Sequence, residues 1–154
     1  MKLKVKNKKI VISCIIILIV SIIVRMYFYN KIKRIKDDAY IDIWRDTSMD
    51  PVHNFGLNSQ PLHYLINENG EVYTYRASYK NEITGKKDSA TIKYIKTISK
   101  SDLQKLENDL KQIIENNTDD SISYWYLDYW YIEINNNSTR VNVNVKSQVL
   151  DKYF

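Results

Sequence analysis

Leu62-His63-Tyr64-Leu65-Ile66-Asn67-Glu68-Asn69-Gly70-Glu71-Val72-Tyr73-Thr74-Tyr75-Arg76-Ala77 is the stretch whose reading decides the fold. Two runs rich in aromatic and β-branched residues flank Asn69-Gly70. That dipeptide favours a two-residue type I′ turn, because both central residues need positive φ. The resulting register opposes Ile66 to Tyr73, Tyr64 to Tyr75 and Leu62 to Ala77 on one face. His63 meets Arg76 and Leu65 meets Thr74 on the other. One apolar and one mixed face predict a half-buried antiparallel sheet.

Downstream, 81–89 is a charged loop containing Gly85, and 91–98 reads as a third strand with Ile92, Tyr94 and Ile98 on one side. Ser101 caps a helix, Gln104 completes a capping box, and Leu103, Leu106, Leu110 and Ile113 form the apolar stripe. Asn116 and Asn117 end it. The stretch 123–145 reads as a strand or two and a second hairpin turning at Asn136-Asn137. Its register opposes Ile134 to Thr139, Ile132 to Val141 and Trp130 to Val143, and pairs Glu133 with Arg140. The tail 148–154 is a helical turn docking Val149 and Leu150. Upstream, Tyr40, Ile43 and Trp44 fall at i, i+3, i+4 and predict a short helix over 37–46, stopped by Asp50-Pro51.

Further upstream, 10–24 is an unbroken run of Ile, Val and Leu, apart from Ser13, Cys14 and Ser21. Carried on through Met26, Tyr27, Phe28 and Tyr29 it is long enough, at about 30 Å of helix, to cross a bilayer. Arg25 can snorkel and the aromatic cluster suits the headgroup region. No small-residue cleavage site follows Val24, so the segment reads as an uncleaved signal-anchor. The basic leader, apolar helix and β-rich domain resemble type IV pilin-like proteins in architecture alone. Lys9 stands where their processing site has Gly, and Cys14 where it has Glu, which excludes that family.

The expected class is therefore α+β: a single N-terminal transmembrane helix, then an antiparallel sheet of about five strands packed on one helix. The expected segments are a basic flank (1–9), the transmembrane helix (10–29), a basic and helical juxtamembrane stretch (30–50) and a soluble domain (51–154).

The 154 residues carry a formal charge of +5. Ten Lys and Arg and no acid lie in 1–36, giving +10; 13 basic and 18 acidic residues in 37–154 give −5. An acidic domain lacks the electrostatic footprint of a nucleic-acid binder. The basic residues flank the apolar run instead, with Lys8, Lys9, Arg25, Lys31, Lys33 and Arg34 placed to meet anionic headgroups. The near-equal basic flanks tip toward a cytoplasmic N-terminus and an extracytoplasmic domain at the cell membrane. The bias toward Ile, Lys, Asn and Tyr is that of AT-rich codons and suggests a bacterium.

Three Gly leave no room for a glycine-rich phosphate loop, and the single Cys falls in the apolar run, so no cofactor or cysteine nucleophile is expected. His53 and His63, with Asp46 and Asp50 nearby, could hold a metal, but His53 falls in a loop and Arg76 opposes His63, so both are expected to be ordinary surface histidines. Asp119, Asp120, Asp128 and Glu133 suggest a catalytic carboxylate pair, but Asp128 and Glu133 are five apart on a strand and point to opposite faces, so a solvated loop and a surface ion pair are expected. The most unusual feature is Tyr124-Trp125-Tyr126-Leu127-Asp128-Tyr129-Trp130-Tyr131. Alternation puts Trp130 with Ile132 and Ile134, and Trp125, Leu127, Tyr129 and Tyr131 on the other face, either as an aromatic recognition platform or as core.

The expected function is a non-enzymatic module that binds a protein or peptide from the membrane, of envelope accessory, sensor or immunity type. The alternatives are an anchored envelope hydrolase, needing two or more of His53, His63, Asp50 and Asp128 in one pocket, and a cytoplasm-facing subunit of a membrane complex.

Overall fold

The computed structural model describes residues 2–45, 60–80, 85–117 and 129–154. They fall into two units, 1–37 and 38–154. The first is a single helix, α1 (Lys2–Asp37). Its part from Ile10 to Asp37 is long and apolar enough to cross a membrane, and none of its most apolar window is buried. The helix runs without a break through the basic stretch after Tyr29, and Arg34 and Lys36 in its last turn complement the helix dipole.

The second unit is α+β. Its main sheet has six strands: β1 (Ala39–Arg45), β2 (His63–Asn67), β3 (Glu71–Arg76), β6 (Thr91–Thr97), β7 (Trp130–Ile134) and β8 (Asn137–Val141). The order is β6-β3-β2-β1-β7-β8 and every neighbouring pair is antiparallel. Two short strands, β4 (Tyr79–Lys80) and β5 (Lys87–Asp88), pair apart from it. Helix α2 (Lys100–Asn117) connects β6 to β7, and a π-helical turn (Lys146–Leu150) followed by a last helical turn (Asp151–Tyr153) ends the chain. From β6 to β7 is four strand spacings, about 19 Å, and an 18-residue helix covers about 27 Å, so α2 carries the chain back across the sheet.

The core lies between the sheet and α2. Ile41, Ile43, Ile66, Val72, Trp130, Ile132, Ile134 and Val141 meet Leu103, Leu106, Leu110 and Ile113 of the helix, with Val145, Val149 and Leu150 closing one end. The apolar stripe of α2 and the docking tail are as the sequence predicts. The cap is shifted: Ser99, not Ser101, accepts from the Asp102 amide at 3.1 Å and donates to the Asp102 carboxylate at 2.7 Å. The tail is pinned to α2 through Asp109, which accepts from Lys152 at 2.7 Å and from the Tyr153 hydroxyl at 2.9 Å.

Four further expectations are corrected. Ala39–Arg45, within the stretch expected to be a helix over 37–46, form strand β1 instead, with β7 and β8 between it and one edge of the sheet. Ile41 and Ile43 are buried and alternate with Asp42 and Trp44, a period of two that the i, i+3, i+4 pattern masks in so short a window. Strands buried on both faces lose the clean alternation that marks a half-exposed strand.

The first hairpin is slipped by one residue. Ile66 opposes Val72, Leu65 opposes Tyr73, Tyr64 opposes Thr74 and His63 opposes Tyr75. Gly70 has φ +78°, whereas Asn69 has no positive φ, so a type I′ turn is not formed. The loop has three residues instead, with Gly70 in the left-handed position and its N–H donating to the Asn67 carbonyl at 2.9 Å. The Asn67 side chain fixes this turn, its Oδ1 accepting from the amides of Asn69 and Glu71 at 3.1 and 3.0 Å. An odd slip exchanges faces, so Tyr73 and Tyr75 lie with His63 and Leu65.

The second hairpin is slipped by two residues. Asn135 and Asn136 both have positive φ and form the turn, Glu133 opposes Ser138, and Arg140 opposes Tyr131. An even slip preserves the faces, which is why Trp130, Ile132 and Ile134 still enter the core. In β6 a bulge between Tyr94 and Lys96 separates Ile98, which reaches the core, from Ile92 and Tyr94, which lie on the other face.

Candidate functional site

The sheet face turned away from α2 carries an aromatic row built by cross-strand register. Tyr75 on β3, His63 on β2, Trp44 on β1 and Tyr131 on β7 stand side by side, with Arg140 of β8 at the end. Trp44 stacks on Tyr131 with ring centroids 5.0 Å apart and planes 7° apart, and on His63 at 5.0 Å and 24°. His63 meets Tyr75 at 5.7 Å. Each such pair adds about 0.5–1.5 kcal/mol beyond the area it buries.

Asp42 stands in the next row, between Leu65 and Glu133. Its two carboxylate oxygens lie 2.8 and 3.0 Å from Nδ1 of His63, with side-chain exposures of 13% for Asp42 and 16% for His63. An ionised carboxylate only accepts, so Nδ1 is the donor in this contact. This partner makes a half-buried aspartate tolerable in the middle of a sheet. Among the described residues, no three His, Cys, Asp or Glu side chains gather in a way that holds a metal ion.

The row is not a flat platform. Rings stacked face to face present their edges outward, and Trp44, His63 and Tyr131 have their faces turned to one another. Tyr131 is half-buried, while Tyr129 is only 8% exposed, with the Arg140 guanidinium 4.5 Å from its ring centroid. Leu65, at 1% exposed, is also buried on this face. The face therefore has the character of a second packed layer.

Trp125 and Leu127 lie outside the described residues, as do His53, Asp46, Asp50, Asp119, Asp120 and Asp128. Glu133 is half-buried on the row of Asp42 and has no cross-strand arginine. His63 has Tyr75 and Asp42 as neighbours rather than Arg76. Cys14 is exposed on α1. Lys8 and Lys9 fall within α1, as do Arg25, Lys31, Lys33 and Arg34.

Asp42, Trp44 and Tyr75 were not singled out from the sequence. Their signal was present in the alternation Ile41-Asp42-Ile43-Trp44, which puts an aspartate and a tryptophan on one face of a strand.

A different surface stays open. Among the described residues outside α1, the exposed large hydrophobic side chains are Tyr94, at 51%, and Ile95, at 37%. Both belong to β6, one of the two edge strands of the main sheet. Tyr94 leans edge-on against Tyr73 at 5.6 Å, and its hydroxyl lies 2.9 Å from that of Thr97.

No protein-family model, curated protein or solved structure matches this chain.

Proposed function

We propose that the chain is a single-pass membrane-anchored, non-enzymatic binding protein, with its N-terminus in the cytoplasm and its α+β domain outside, engaging a protein or peptide partner. The observation that carries the anchor is the exposure of Ile10 to Tyr29 all round α1. A helix apolar on every side satisfies its own backbone and belongs in lipid. Its basic flanks supply a second partner, the anionic headgroups of the bilayer. The domain supports the binding part of the reading: it packs an aromatic row on one face of its sheet and α2 on the other, and leaves an apolar edge strand open.

Two measurements test this. Under alkaline carbonate washing the full chain is expected to stay with the membrane pellet; release into the supernatant contradicts the anchor. For binding, a photocrosslinking amino acid is placed at Tyr94 or, as control, at the exposed Lys105 of α2 in the full chain in cells. A discrete adduct from position 94 alone is the expected result. The same weak background from both positions contradicts a binding module at this edge.

A further inference from the structure

The stretch of chain that contains this edge strand is also where the domain's sequence changes sign. Between residues 76 and 100 lie Arg76, Lys80, Lys86, Lys87, Lys93, Lys96 and Lys100 against Glu82 and Asp88, a net charge of 7 − 2 = +5. The whole of 37–154 is 13 − 18 = −5, so the remainder carries −10. This basic stretch contains β6 and leads into α2. Asp88 is engaged by Lys86 at 3.9 Å, which leaves β6 itself, Thr91–Thr97, with two lysines and no acid.

We infer that β6 is a docking edge for an extended acidic peptide segment of a partner protein, which adds to the sheet as a seventh strand. The inference rests on the binding reading above and names its partner class. β6 has one neighbour, β3, and its other side has no strand beside it among the described residues. An edge of this kind offers main-chain N–H and C=O groups to an incoming strand, while alternate side chains set the choice of partner. Here the alternation is explicit. Ile92 and Tyr94 line one face of the edge, and Lys93 lies on the other, with Lys96 following it beyond the bulge. A peptide alternating apolar and acidic residues matches both faces at once.

The same lysines decide against a second copy of this chain. Lysines on an edge strand repel self-pairing between two copies. Repulsion of like edges combined with attraction for an acidic strand is how an exposed edge gains specificity.

The test uses the full chain in nanodiscs of zwitterionic phosphatidylcholine. Three fluorescent probes are compared by anisotropy: a peptide alternating glutamate and valine, its lysine–valine counterpart, and the acidic peptide N-methylated at alternate amides, which removes its main-chain donors. The acidic peptide is expected to bind at least about tenfold more tightly than either of the others. The double variant K93E/K96E, checked for native circular dichroism, is expected to lose that binding by about tenfold and to gain the basic peptide. Should that variant misfold, the wild-type chain still decides: acidic-peptide affinity is expected to fall as salt is raised.

Equal binding of acidic and basic peptides, or of the methylated peptide, overturns the inference. So does peptide binding unchanged in K93E/K96E while binding to vesicles containing anionic phosphatidylglycerol is lost, because that result assigns the basic edge to a lipid surface. These failures leave the anchor untouched, since carbonate washing reads it separately.

Discussion

Asp42 and His63 meet diagonally across β1 and β2, with Nδ1 2.8 Å from one carboxylate oxygen and 3.0 Å from the other. The contact joins two adjacent strands at the middle of the sheet and sets the ring plane on which Trp44 stacks. Asp42→Ala is expected to destabilise the domain by about 1–3 kcal/mol, because it leaves His63 without its acceptor. Urea unfolding of the single variants and of the double variant with His63→Phe measures the coupling. The two costs are expected to be non-additive by more than about 0.5 kcal/mol.

Gly70 holds the first hairpin in its observed register. Its φ is +78°, and a Cβ there would run into the Ile98 carbonyl, the group that follows β6 and whose amide donates to Gly70 at 2.9 Å. Gly70→Ala is expected to cost more than about 1 kcal/mol in the same assay. The open Gly85, whose Cβ would meet nothing within 4 Å, isolates the backbone effect, and Gly85→Ala is expected to cost less.

The core makes a third prediction. Leu106 is fully buried at the centre of the α2 stripe. Leu106→Ala is expected to cost about 2–5 kcal/mol, through lost burial and the cavity left behind. Lys105→Ala, one residue away on the exposed side, is expected to be nearly neutral.

Acid should weaken the joints that α2 makes. The Lys111 ammonium, 2.6 Å from Glu107, holds that carboxyl below its ordinary range, with the Tyr40 hydroxyl adding a second hydrogen bond against the opposing effect of burial. Lys152 and Tyr153 do the same for Asp109. A carboxyl whose pKa is lower in the folded state stabilises fully above its unfolded value, and that contribution is lost as pH falls through the folded value. Stability is therefore expected to fall below about pH 4.5, and Glu107→Gln with Asp109→Asn to flatten that limb in a pH series of unfolding curves. Partial exposure of both carboxylates keeps the effect small.

The elements legible in the sequence were those with a long, one-sided pattern. The stripe Leu103, Leu106, Leu110 and Ile113 runs the length of α2, and the apolar run of α1 is longer still. The strands of the two hairpins and β6 were legible as well, but their pairing was not. Asn67 diverts the first turn to a three-residue loop by accepting two amides, and one residue of slip moved Tyr75 onto the face of His63. Three consecutive asparagines gave the second turn alternative centres, and the chain uses Asn135-Asn136. The aromatic row was hidden for a further reason. Its central ring, Trp44, lies on a strand whose seven residues fit helical spacing as well as alternation.

A partner outside the cytoplasm can reach β6 only if the α+β domain lies outside it. Protease is added to intact cells making the full chain, with lysed cells as control, and the α+β domain is followed by an antibody to its C-terminal tag. Cleavage in intact cells is the expected result, and it places β6 where an extracytoplasmic partner can reach it. Protection in intact cells with cleavage only after lysis would contradict it, and would turn the protein into a cytoplasm-facing subunit of a membrane complex.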